Sequence, residues 1–96
     1  MIPTTITLSE GLEYTVLCSF YNGSCFILFG VDYSGSADFK YICCYAEPDG
    51  GSMEYIRPVA GSDYDDIFVI FRDRIDAECA ALEDTLEEKR LEDEAL

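Results

Sequence analysis

Residues Ser62–Leu86 read SDYDDIFVIFRDRIDAECAALEDTL, and the periodicity of this stretch decides the fold. At about 100° per residue, Tyr64, Phe68, Phe71, Ile75, Cys79, Leu82 and Leu86 fall on one side of a helix. Asp73, Asp76, Glu83, Asp84 and Glu87 fall roughly opposite. An apolar stripe of that kind needs a sheet to cover it. The expected fold is therefore α+β, an antiparallel sheet of four to five strands with one C-terminal acidic amphipathic helix packed on one face. Ser62 is the expected N-cap, with Asp65 three residues on. Asp63, Asp65 and Asp66 put negative charge in the first turn, where the helix dipole favours it. Beyond Leu86 the stripe fails, because Lys89 and Asp93 take its next positions. The expected domain is 1–88, with 89–96 an acidic tail that frays.

Upstream, the chain alternates as strands do. Ile2, Ile6 and Leu8 share one face of Ile2–Leu8, and Ser9-Glu10-Gly11 is a turn with Gly where positive φ is needed. Tyr14, Val16, Cys18 and Phe20 share a face of Leu12–Phe20, with Leu17 out of pattern. Asn22-Gly23 predicts a two-residue type I′ hairpin. That turn would pair Tyr21 with Ser24, Phe20 with Cys25, Cys18 with Ile27, Val16 with Phe29 and Tyr14 with Val31. Leu17, Phe26 and Leu28 then share the second face, as a minor core or as an exposed patch for self-association. Ser34–Ala37 reads as a loop, Phe39–Tyr45 as a strand, Pro48–Gly51 as a turn cluster and Ser52–Val59 as a last strand. Arg57 and Pro58 place that last strand at an edge, and Ala60-Gly61 is expected to break it. The register of these two strands stays open.

Twenty acidic residues face six basic ones, a net charge of −14 without histidine on 96 residues. Such a surface repels nucleic acid and anionic lipid and favours basic proteins as partners. The charge is uneven. Residues 1–61 hold seven acids and two bases, whereas residues 62–96 hold thirteen acids and four bases. Thirteen Phe and Tyr side chains argue against a disordered acidic tail. Five cysteines, at 18, 25, 43, 44 and 79, lack C-x-x-C spacing and read as small hydrophobes of a reducing cytoplasm. Cys18, Cys25 and Cys43 are the best zinc candidates across a sheet, yet metal spacing is missing, so no metal and no cofactor is expected. Met1–Leu8 has no basic start and no long apolar run, so no signal peptide is expected. A cytoplasmic location in a bacterial cell, with phage origin an open option, follows as the expectation.

Catalytic motifs are absent from this reading. A serine or cysteine nucleophile would lack its histidine base, and the many carboxylates single out no pair. Gly50-Gly51 precedes a strand rather than a phosphate-binding helix, and Asp63–Asp66 lacks the Gly and Glu of a calcium loop. The helix face is what remains. Asp76–Glu94 carries nine acids and two bases, about one net negative charge per 4 Å of helix. A single strand of DNA carries roughly one per 3.4 Å. A solvated face kept acidic for solubility is the plainer explanation of the same charge.

Ile6–Leu28 (ITLSEGLEYTVLCSFYNGSCFIL) carries a short ITL strand, a Gly turn, E-Y-x-V-L and F-x-x-G-x-x-F-x-L. With Phe39–Tyr45, Glu54–Pro58 and the acid-rich start at Asp63–Phe71, this resembles the YrzB-like family of small acidic bacterial proteins of unknown function. The resemblance implies antiparallel strands followed by a helix and supplies no functional residues. Four cysteines among the strands and a higher aromatic content depart from the family pattern. By composition only, the chain is also similar to phage-encoded nucleic-acid mimics of the anti-CRISPR or anti-restriction type.

The expected function is thus a non-catalytic acidic binding module, an inhibitor or regulator that occupies a basic groove of a nucleic-acid-binding protein. Asp66, Asp73, Asp76, Glu83, Asp84 and Glu87 are the candidate partner-binding residues, with the loop acids Asp32, Asp38, Glu47 and Asp49 behind them. The alternative is a housekeeping module that self-associates through Leu17, Phe26 and Leu28, its charge serving solubility.

Overall fold

The computed structural model describes residues 3–8 and 11–95, the side chains of Thr85 and of residues 87–95 excepted. Five strands, β1 (Thr5–Thr7), β2 (Glu13–Tyr21), β3 (Phe26–Val31), β4 (Tyr41–Asp49) and β5 (Ser52–Gly61), precede one helix, α1 (Tyr64–Ala95). The strands form one antiparallel sheet in chain order, β1-β2-β3-β4-β5. The α+β expectation holds, and the helix packs on one face. That sheet also curls. The Tyr55 hydroxyl of β5 donates to the Thr5 carbonyl of β1 at 3.0 Å, so the two outermost strands come within reach of one side chain.

Curling gives the domain two cores. The concave side buries Ile6, Tyr14, Phe26, Leu28, Ile42, Cys44 and Ala46. Across the sheet, Ile27, Phe29 and Cys43 meet Ile67 and Phe71 of α1. β3 lies centrally and is buried along its whole length, as a strand covered on both faces should be. Phe26 and Leu28 therefore belong to a full core, and the expected patch of Leu17, Phe26 and Leu28 does not form. Only Leu17 of the three is exposed.

The β2–β3 pairing differs from the expected register. Tyr21 faces Phe26, Phe20 faces Ile27 and Cys18 faces Phe29. Asn22 explains the shift, because its side-chain oxygen accepts from the amides of Ser24 and Cys25 at 2.9 Å. Its own amide donates to the Cys25 carbonyl at 3.1 Å. An Asx-type loop of Asn22–Cys25 thus replaces the two-residue turn. Type I′ needs positive φ at both central residues, and here Gly23 alone supplies it, at 99°. The true two-residue turn is Gly50-Gly51, with φ of 54° and 94°, closing Asp49 on Ser52.

A bulge between Val16 and Cys18 does more. The extra residue, Leu17, reverses the alternation, so Tyr14 and Val16 enter the concave core while Cys18 and Phe20 turn to the helix. Their expected common face is split by that one residue. A second bulge sets Arg57 and Pro58 against Cys44, between the pairs Cys43–Val59 and Tyr45–Ile56, with Arg57 at a φ of 52°. β5 is an outer strand, as Arg57 and Pro58 implied, but it continues through Gly61. Gly61 does not break it. Its lack of a side chain admits the helix instead, since a Cβ there would lie 2.9 Å from Ile67 Cδ1.

Asp63, rather than Ser62, caps α1. Its Oδ1 accepts from the Asp65 amide at 3.1 Å and its carbonyl from the Ile67 amide at 3.4 Å. The helical backbone runs to Ala95, about 48 Å of axis.

Candidate partner-binding surface

The helix docks with its first half. Phe29 is the anchor on the sheet, ringed by Tyr64, Phe68 and Phe71 at centroid distances of 5.1, 5.5 and 6.0 Å. Ile67 and Phe71 are 3 % and 5 % exposed, and each contributes roughly 1.5–3 kcal/mol as an upper estimate. Ile67 was not on the expected stripe, while Tyr64, Leu82 and Leu86, which were, are 42 %, 40 % and 67 % exposed. The stripe is right in phase and wrong in length. No sheet lies beneath its far end.

Polar contacts on the docked side tie helix to sheet. The Arg74 guanidinium lies 4.8 Å from the Tyr45 ring centre and donates to the Cys43 carbonyl at 3.5 Å. One turn on, Glu78 Oε2 accepts from Asn22 Nδ2 at 2.9 Å, linking the β2–β3 loop to the helix. Neither residue was singled out from the sequence. Both sit within about 60° of Phe71 on a helical projection, a signal open to anyone who plots polar as well as apolar positions. The Asn22 partner is set by tertiary structure alone.

Asp66, Asp73, Asp76, Glu83 and Asp84 are all exposed on the far side of the helix. Among the described residues, none of the five carboxylates has a hydrogen-bond or ion-pair partner. They share an arc about 100° wide that extends about 27 Å along the axis. Glu87 continues the arc by sequence, its side chain lying outside the described residues. Neighbouring carboxylates such as Asp73 and Asp76 stand closer along the axis than the roughly 8 Å screening length at physiological salt, so their fields add. Val69, half-exposed, lies within the same arc.

The loop acids divide. Asp32 is buried and committed to its own loop, accepting from the amides of Ser34 and Ala37 at 2.9 Å and from the Ser34 hydroxyl. Those bonds, the Ser34 hydroxyl first, hold its carboxyl below the usual aspartate value. Asp32 is therefore a structural residue and not a partner contact. Asp38, Glu47 and Asp49 are exposed away from the helix arc.

The zinc candidates do not converge. Cys18 and Cys43 flank Phe29 across the sheet, whereas Cys25 closes the β2–β3 loop. Among the described residues no group of three or more metal-ligating side chains forms. All five thiols are free. Burial, with Cys43 beside it, pushes the Cys44 thiol up to about 12, and burial raises Cys43 too. Among the described residues no helix is long and apolar enough to cross a membrane.

No protein-family model matches the chain, and comparison with curated proteins and with solved structures finds no relative. The surface itself carries the functional argument.

Proposed function

We propose that the protein is a non-catalytic acidic binding module that docks α1 in the basic groove of a nucleic-acid-binding protein, as an inhibitor or regulator. One observation carries this reading. Asp66, Asp73, Asp76, Glu83 and Asp84 form a continuous exposed arc whose carboxylates have no partner among the described residues. Nine of the twenty acids lie between Asp76 and Glu94, beyond the first-turn acids that the helix dipole favours. Their spacing on a rigid rod suits a row of Lys and Arg side chains arranged for phosphates. Affinity then rests largely on screened charge and falls as salt rises.

The test compares the protein with an Asp73→Lys/Asp76→Lys/Glu83→Lys variant, both immobilised and exposed to the same bacterial lysate. Nucleic-acid-binding proteins should be retained by the first and not by the second, elute in a salt gradient, and be displaced by added duplex DNA. Equal retention on both columns, or indifference to DNA, would refute the reading.

A further inference from the structure

The Asn22–Glu78 hydrogen bond ties α1 to the β2–β3 loop midway along the helix. Cys79 is still half-buried, and the exposed Leu82 marks where α1 begins to overhang the sheet. Leu82 and Leu86 lie on this overhang, four residues apart and in phase with Phe71 and Ile75. They continue the docked seam into open space, 40 % and 67 % exposed. At the foot of the overhang, Glu78 lines a pocket of about 230 Å³ with Cys25, Tyr45, Glu47, Ile56 and Arg57. Glu78 and Glu47 both stand near enough to Cys25 to add to the rise that burial gives its thiol. The pocket thus sets Glu47 and Glu78 against one cation, Arg57, beside the apolar Ile56 and Tyr45.

We infer that Leu82 and Leu86 form an apolar ridge that seats on the apolar stripe of a basic amphipathic helix of the partner. This deepens the function proposed above and rests on it for the sign of the partner's charge. Charge complementarity selects this occupant. A second copy would bring another segment of thirteen acids and four bases against the first, whereas Lys or Arg flanking an apolar stripe would face Glu78, Glu83 and Glu47. Helix-in-groove recognition uses anchors at this i, i+4 spacing.

The experiment titrates the protein with two synthetic peptides of identical Leu and Lys content. One arranges Leu at helical spacing, and the other scrambles the order. The amphipathic peptide should bind about tenfold more tightly, a difference of roughly 1.4 kcal/mol. Leu82→Ser/Leu86→Ser should abolish that preference while leaving thermal stability and affinity for the scrambled peptide unchanged. Equal binding of the two peptides, or a preference that survives the double substitution, overturns the inference. So does a concentration-dependent dimer that the double substitution dissolves. The acid-reversal variant, titrated alongside, weakens both peptides if the charge reading holds and neither if that reading alone fails.

Discussion

Replacing Phe71 and Leu82 by alanine, one at a time, measures where the helix is held. Both lie on the same stripe of α1, and a helical wheel treats them alike. Phe71 is 5 % exposed and packs on Phe29 and Phe68 at centroid distances of 6.0 and 5.9 Å. Its truncation leaves a cavity between helix and sheet, so Phe71→Ala should cost about 3–5 kcal/mol. A domain of this length holds roughly 5–14 kcal/mol in total, which makes that loss a large fraction. At about 4–8 °C per kcal/mol, the melting temperature should drop by at least about 12 °C. Leu82 is already 40 % exposed, and Leu82→Ala should cost less than about 1 kcal/mol. Urea titrations followed by tyrosine fluorescence and near-UV circular dichroism report the packed region rather than the overhang. If the two variants lose similar stability, the helix is docked along its full length. If Phe71→Ala loses less than about 1 kcal/mol, the aromatic cluster around Phe29 is not the anchor.

Gly30→Ala would place a Cβ 3.1 Å from Ile6 Cδ1, 3.1 Å from the Thr15 carbonyl and 3.2 Å from Tyr14 Cβ. Such overpacking should cost about 1–3 kcal/mol in the same titrations, and a neutral result would mean that β1 does not press on β3. Asp32 has a folded-state pKa below its unfolded value, so its stabilising effect is present above about 4 and fades as pH falls through the lower folded value. Melts of wild type and Asp32→Asn should therefore differ at pH 7 and converge on acidification. A pH-independent gap would show that the Ser34–Ala37 loop gains from the shape of Asp32 and not from its charge.

Much of the architecture was legible because it is local. Alternation marked the strands, glycine pairs marked turns, and a 3.6-residue period marked the helix and separated its apolar and acidic sides. The candidate acids are on the exposed arc for the same reason, since helical phase is set by the chain itself. Asp32 was not separable from the other loop acids, because its role depends on Ser34 and Ala37 folding back onto it.

What only tertiary structure decided involves contacts between distant residues. Asn22 spends its side-chain oxygen on its own loop and its amide on Glu78, 56 residues away, and the β2–β3 register follows from that choice. One bulged residue at Leu17 sends the two halves of β2 into different cores. The second core exists because the sheet curls until Tyr55 reaches Thr5, which no period along a strand encodes. The sequence determined which side of the helix is apolar and which is charged, but not how much of that apolar side is used. Even β5, the longest strand at ten residues, covers only about 33 Å and the helix runs about 48 Å, so the sheet ends first and leaves Leu82 and Leu86 exposed.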